Sequence, residues 1–216
     1  PARIKDLDEL PSPYLTGLMD KFFDGRLSPF ISTSRGCPFQ CTYCSDGTQK
    51  VSKINMFSIE RVVAELHYIA QRVPGNTGSL FFSDLNFGMY KRDAEICSEL
   101  ADLKEKYGYP KHIDISTGKN SKQRIISVIR KLGSAIPLSL SVQSLDPNVQ
   151  KNIKRDNIRI DEMLDLQPYI KAAGLVTASE FISCLPGETF ESNLKGLCDL
   201  VDAGIDNVIC HTLMMV

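Results

Sequence analysis

The sequence predicts an α/β fold, a partial (β/α)6 TIM-like barrel with parallel strands, and three observations carry that prediction. Strand and helix patterns alternate along most of the chain, the helical stretches run into glycines, and two of the strands have one apolar and one polar face. Strand composition, rich in Val, Ile, Phe, Thr and Ser, falls at Phe30–Ser34, Ser79–Ser83, His112–Thr117, Leu138–Gln143, Thr177–Ser183 and Asn207–Thr212. Helical periods fall at Ile59–Val73, behind Ser58 as N-cap, and at Asp93–Tyr107, Ser121–Leu132, Ile160–Ala173 and Phe190–Ala203. The last four are followed by Gly108, Gly133, Gly174 and Gly204, a C-cap signal. Asp146-Pro147 adds an N-cap with proline at the first helical position, which starts a short helix after the fourth strand. Six strands joined by crossover helices imply a parallel sheet wound right-handed.

Strand phasing separates a barrel from a flat buried sheet. Leu138, Leu140 and Val142 share one face while Ser139, Ser141 and Gln143 share the other; Ile113 and Ile115 likewise oppose His112, Asp114 and Ser116. Sheets covered by helices on both faces carry near-continuous apolar strands, so a polar face predicts a solvated or ligand-filled lumen. Residues 1–29, with Pro11, Pro13 and Pro29 and one short helical stretch at Tyr14–Phe23, read as an arm or linker from a preceding domain. Residues 30–216 read as the barrel, an excised core because Leu213–Val216 ends the last strand without a covering helix.

Composition limits the function classes. The 216 residues are 43% hydrophobic and 24% charged with a net charge of -1, as in an ordinary globular domain, so no global positive field argues for nucleic acid. No apolar run reaches eighteen residues and Pro1–Leu10 lacks the form of a signal peptide, which predicts a cytoplasmic protein without a membrane partner. Seven cysteines without a paired framework fit a reducing compartment.

Three of those cysteines, Cys37, Cys41 and Cys44, stand within eight residues directly after the first strand. That spacing turns three thiolates towards one centre, whereas a structural zinc site of this kind needs a second cysteine pair elsewhere. Cys97, Cys184, Cys198 and Cys210 are dispersed in apolar or helical contexts and read as buried, inert thiols, with Cys184, near the end of the fifth strand, the one placed to reach the site. A four-iron cluster held by three thiolates keeps one iron open to another ligand. An electron-transfer cluster and a zinc module stay open as alternatives. Parallel barrels carry their sites at the C-terminal ends of strands, where this loop falls.

With Tyr43 just before the last cysteine, the loop resembles the signature of the radical S-adenosylmethionine (SAM) family. That resemblance implies a barrel core in which Cys37, Cys41 and Cys44 hold a [4Fe–4S] cluster whose fourth iron is chelated by SAM. It also implies reductive cleavage of SAM to a 5′-deoxyadenosyl radical, fed by an electron donor of flavodoxin or ferredoxin type and aimed at a small-molecule substrate. Ser83-Asp84-Leu85-Asn86-Phe87 closes the second strand where relatives meet the SAM amino group, which nominates Asp84 and Asn86. Ser139-Leu140-Ser141-Val142-Gln143 resembles the ribose-contacting segment, which nominates Ser141 and Gln143, with Ser116 on the neighbouring polar face. Lys154-Arg155-Asp156-Asn157 lies where a basic residue meets the SAM carboxylate, and Arg155, with its fork of donors, is preferred to Lys154. Leu185-Pro186-Gly187-Glu188-Thr189 is similar to a family turn near adenine, which adds Leu185 beside Tyr43. His67 and His211 read as structural, and His211 as a satisfied core residue.

These motifs together resemble the cobalamin-dependent branch, whose reaction is often methyl transfer. No Asp-x-His-x2-Gly segment is present, so any cobalamin belongs to a domain outside this chain. Methylthiolation of tRNA and non-enzymatic electron transfer are the competing readings.

Overall fold

The computed structural model describes residues 4–48, 52–118, 122–155 and 159–214. Six parallel strands stand in chain order as two triplets. β1 (Phe30–Ile31), β4 (Ser79–Phe82) and β5 (His112–Asp114) form the first, and β6 (Leu138–Ser139), β7 (Thr177–Ser183) and β8 (Asn207–Thr212) the second. Thr117, bridged to Phe87, donates its hydroxyl to the Ser139 carbonyl at 2.9 Å and so links the two. A further pair, β2 (Ser34–Arg35) and β3 (Asn55–Met56), is antiparallel and absent from the sequence prediction; two-residue strands leave no periodicity to read.

The crossovers are α1 (Ile59–Ala70), α2 (Asp93–Tyr107), α3 (Lys122–Ile129), the short α4 (Pro147–Asn152), α5 (Ile160–Ala172) and α6 (Phe190–Asp202). Their starts follow the expected capping chemistry. Ser58 accepts from the Arg61 amide, Asp146 accepts from Asn148 and Val149, and Thr189 and Ser192 form a reciprocal capping box. Gly108, at φ 66°, ends α2 in the left-handed region that a Cβ disfavours. The helix expected over Ser121–Leu132 stops instead at Ile129 and passes into a 3-10 stretch, Arg130–Ala135, with Gly133 at a non-helical φ/ψ; Ser121 lies outside the described residues.

The phasing argument holds. Ile113, Ile115, Leu138, Leu140 and Val142 are buried in the main core, each fully buried aliphatic side chain stabilising the fold by about 1.5–3 kcal/mol. Asp114, Ser116, Ser139 and Ser141 line a cavity of about 360 Å3 on the opposite face. β6 is shorter than expected, and its pairing with β7 resumes at Gln143, at φ 65°, whose amide donates to the Glu180 carbonyl at 3.0 Å and whose carbonyl accepts from the Ile182 amide at 2.8 Å.

Three expectations are corrected. Tyr14–Phe23 is not a helix: Gly17 at φ 76° breaks it into turns and a single 3-10 turn at Asp20–Phe22. The arm instead packs on α1, where the Ser12 hydroxyl donates to Glu65, and holds β1 through the Tyr14 hydroxyl, which donates to the Phe30 carbonyl and accepts its amide, both at 3.0 Å. Among the four dispersed cysteines only Cys97 is buried; Cys184, Cys198 and Cys210 are exposed. His211 is likewise exposed rather than in the core, because β8 is covered on neither face over most of its length by the described residues. No helix among the described residues is long and apolar enough to cross a membrane.

Candidate functional site

The cysteine loop is an excursion from β1 whose base is pinned from two sides. Antiparallel pairing of Ser34 with Met56 and Arg35 with Asn55 brings its ends together. Asp84, just beyond β4, then clamps the entrance: its carboxylate accepts from the Thr33 amide at 2.8 Å and from the Thr33 and Ser34 hydroxyls, both at 2.6 Å. Inside the loop the turns are tight, with the Cys44 amide donating to the Cys41 carbonyl at 3.1 Å and the Gly47 amide to the Cys44 carbonyl at 3.0 Å. The Thr42 amide reaches the Ile153 carbonyl at the end of α4, at 3.0 Å, which ties the loop to the second triplet.

Cys37, Cys41 and Cys44 are not in disulfides, and protein donors converge on the sulfurs of Cys37 and Cys41. Asn86 Nδ2 lies 3.3 Å from Cys37 Sγ, and Arg155 Nη1 lies 3.9 Å from Cys41 Sγ. Arg155 Nη1 also donates to the Tyr43 hydroxyl at 2.6 Å. Burial holds the Tyr43 phenol protonated, against the pull of the Arg155 charge, and its hydroxyl is hydrogen-bonded to Cys41. Ligating sulfurs carry negative charge, so donors aimed at them are what an anionic iron–sulfur centre needs from its surroundings. Among the described residues no three His, Cys, Asp or Glu side chains gather as a single metal ion requires. Three thiols on one loop, with donors at two of their sulfurs, are a donor set that a four-iron cluster takes.

The segment after β6 completes the mouth. α4 ends with Lys154 in the left-handed region at φ 52°, and the Arg155 amide returns to the Gln150 carbonyl, a Schellman-type turn. That turn sends Lys154 outwards and buries Arg155, whose Nη2 donates to the Ser141 carbonyl. Gln143 is 6% exposed; its Nε2 donates to Glu180 at 3.3 Å and its Oε1 is buried with no partner among the described residues. A positive φ on a non-glycine residue costs about 1–3 kcal/mol, and such strain gathers at ligand sites.

The sequence profile of the Radical SAM superfamily matches residues 31–195. The chain belongs to the radical SAM superfamily. It is 34% identical over 211 residues to the cobalamin-dependent radical SAM methyltransferase TokK of Streptomyces tokunonensis, covering 94% of this chain and 30% of that protein. It is 35% identical over 205 residues to the 2-(S-pantetheinyl)-carbapenam-3-carboxylate methyltransferase of Streptantibioticus cattleyicolor, covering 91% of this chain and 30% of the relative. The chain therefore spans under a third of the length of these relatives. The fold matches that of the radical SAM methyltransferase TsrM of Kitasatospora setae, solved with cobalamin and a [4Fe-4S] cluster bound, at a TM-score of 0.69 and 14% identity over 86% of this chain and 34% of that one.

Within this radical SAM core, most of the residues nominated from sequence meet. Cys41, Tyr43, Arg155 and Ser141 form one connected group, Asn86 joins Cys37, and Ser116 and Ser141 line the same lumen. Two nominated residues sit differently from a direct ligand contact. Asp84 spends most of its acceptor capacity on Thr33 and Ser34, and Leu185 is buried with Val149 and Ile153, its carbonyl taken by the Glu188 amide. Asp156 and Asn157 lie outside the described residues. The sequence reading missed Glu180, which lines the lumen and orients Gln143. Its signal was present in the alternation of Thr177, Ser179 and Phe181 against Ala178, Glu180 and Ile182.

Proposed function

We propose that this chain is the catalytic core of a radical SAM methyltransferase, and the observation that carries the proposal is the convergence of Asn86, Tyr43 and Arg155 on the sulfurs of the three-cysteine loop. In this reading Cys37, Cys41 and Cys44 hold a [4Fe–4S] cluster that leaves one iron for the amino and carboxylate groups of SAM. When bound, such a cluster would supply the electron for reductive cleavage of the SAM sulfonium, the chemistry that activates a substrate. The protein's own part is placement. Asn86 Oδ1, buried and unpartnered among the described residues, offers an acceptor to the SAM ammonium, with the remaining acceptor capacity of Asp84 beside it. Arg155 supplies positive charge for the carboxylate, while Ser116, Ser141 and Gln143 Oε1 present donors and acceptors for the ribose diol. Tyr43 flanks the adenine, and Leu185, buried with Val149 and Ile153, supports that side of the site from behind. The buried underside of the loop keeps water from the reacting groups.

Methyl transfer is the subclass that the named activities of the relatives support over methylthiolation of tRNA. Cobalamin, if used, is held by a part of the protein outside this chain, and an electron donor of flavodoxin or ferredoxin type serves the cluster. The ligand assignment is tested by the double variant Ser141→Ala, Gln143→Ala. Two lost hydrogen bonds at roughly 0.5–1.5 kcal/mol each weaken SAM binding about tenfold while iron content stays whole. Unchanged SAM affinity, by anaerobic equilibrium binding, removes the ribose assignment.

A further inference from the structure

We infer that Asn86 is a positioning residue that sets the reduction potential of the cluster through Cys37, an inference that rests on the cluster reading above. Asn86 is 4% exposed and Cys37 7%, so the 3.3 Å contact between Nδ2 and Sγ lies in a nearly dry environment where a hydrogen bond is electrostatically stronger than in water. The contact is built into the scaffold. Asp84, two residues before, is clamped to Thr33 and Ser34. Phe87, the next residue, donates its amide to Ser116 at 3.0 Å, accepts from Gly118 at 2.9 Å and packs its ring 5.8 Å from that of Phe82. Asn86 is thus held between two fixed neighbours at the end of β4, facing the loop's first cysteine.

The amide is an expensive residue to place there. Its Oδ1 is buried without a partner among the described residues, which costs about 1–3 kcal/mol as long as no ligand satisfies it. A thiol sulfur is only a weak acceptor, so the donor on the other side of the amide is poorly used unless Cys37 is an anionic metal ligand. Adding an electron to the cluster increases the negative charge on its ligand sulfurs. An N–H donor aimed at one of them therefore stabilises the reduced form more than the oxidised form and raises the potential. Arg155 and Tyr43 act in the same direction on Cys41, but Arg155 also holds the Ser141 carbonyl, so Asn86 isolates the effect more cleanly.

The test is a redox titration of the anaerobically reconstituted protein with dithionite, followed by electron paramagnetic resonance in the absence of SAM, on the wild type, Asn86→Leu and Asn86→Asp. Both variants keep their iron, and both midpoints move to lower potential. In Asn86→Leu the ratio of reduced to oxidised cluster at fixed poise falls about tenfold, which for one electron is about 59 mV. Asn86→Asp, nearly the same shape but with a carboxylate oxygen in place of the donor, falls at least as far. Unchanged midpoints at full iron content overturn the inference, and so does loss of iron from both variants, which would make Asn86 a structural support of the loop. A wild-type protein that takes up no cluster would overturn the cluster reading itself.

Discussion

Replacing Cys37, Cys41 or Cys44 singly with alanine removes most of the iron from the anaerobically reconstituted protein, while Cys97→Ala and Cys198→Ala retain it. The contrast follows from where each thiol sits. The three loop thiols share one excursion at the C-terminal end of β1, with donors at two of the sulfurs. Cys97 lies in the core of α2, and burial pushes its thiol up to about 12, so it stays protonated and cannot serve as a thiolate ligand. Its truncation costs stability by opening a small cavity and leaves the loop untouched. Cys198 is exposed on α6, outside the loop. Full iron in any of the three loop variants, measured by iron analysis after desalting, would show that the ligands are misassigned.

Gly47→Ala also loses the cluster, though it removes no ligand. A Cβ on Gly47 would lie 2.2 Å from the Cys41 carbonyl oxygen and 3.1 Å from the Cys41 carbonyl carbon and amide nitrogen, all of them backbone atoms. No side chain is available to swing away, so the loop itself must open. Overpacking costs typically 1–3 kcal/mol, and here that cost falls on one surface loop rather than on the core. The expected result is a near-native thermal midpoint with iron reduced several-fold. Gly75→Ala is the control, since nothing lies within 4 Å of its added Cβ and both midpoint and iron should stay unchanged. Gly47→Ala with full iron would mean that the loop is not held in the geometry described.

The barrel was legible because its signals are local and repeated. The alternation of Ile113 and Ile115 with His112, Asp114 and Ser116 reports the two environments of one strand, and the same rule on β6 reports the lumen. The cysteine loop stood out in the sequence because three thiols at that spacing serve few other purposes. What remained hidden depends on contacts between residues far apart in sequence. Nothing near Asp84 tells that Thr33 and Ser34 will occupy its carboxylate, and an acid after a strand looks the same whether it holds a loop or a ligand. The preference for Arg155 over Lys154 rested on donor geometry; the structure adds a physical reason, since the left-handed turn at Lys154 sends one cation out and the other in. The arm was misread because a helical pattern over Tyr14–Phe23 outweighed Gly17, although tertiary contacts of Ser12 and Tyr14 decide its path. Exposed Cys198 and Cys210 were misread as buried because a cysteine's local sequence does not report whether another element covers its strand or helix.

The central claim is that the loop holds a cluster with an iron open to SAM, and the most direct test is electron paramagnetic resonance of the anaerobically reconstituted, reduced protein with and without SAM, followed by chromatography of the products. The account predicts a [4Fe–4S] signal whose shape changes when SAM is added, with 5′-deoxyadenosine formed. A signal indifferent to SAM, with no 5′-deoxyadenosine, would contradict it.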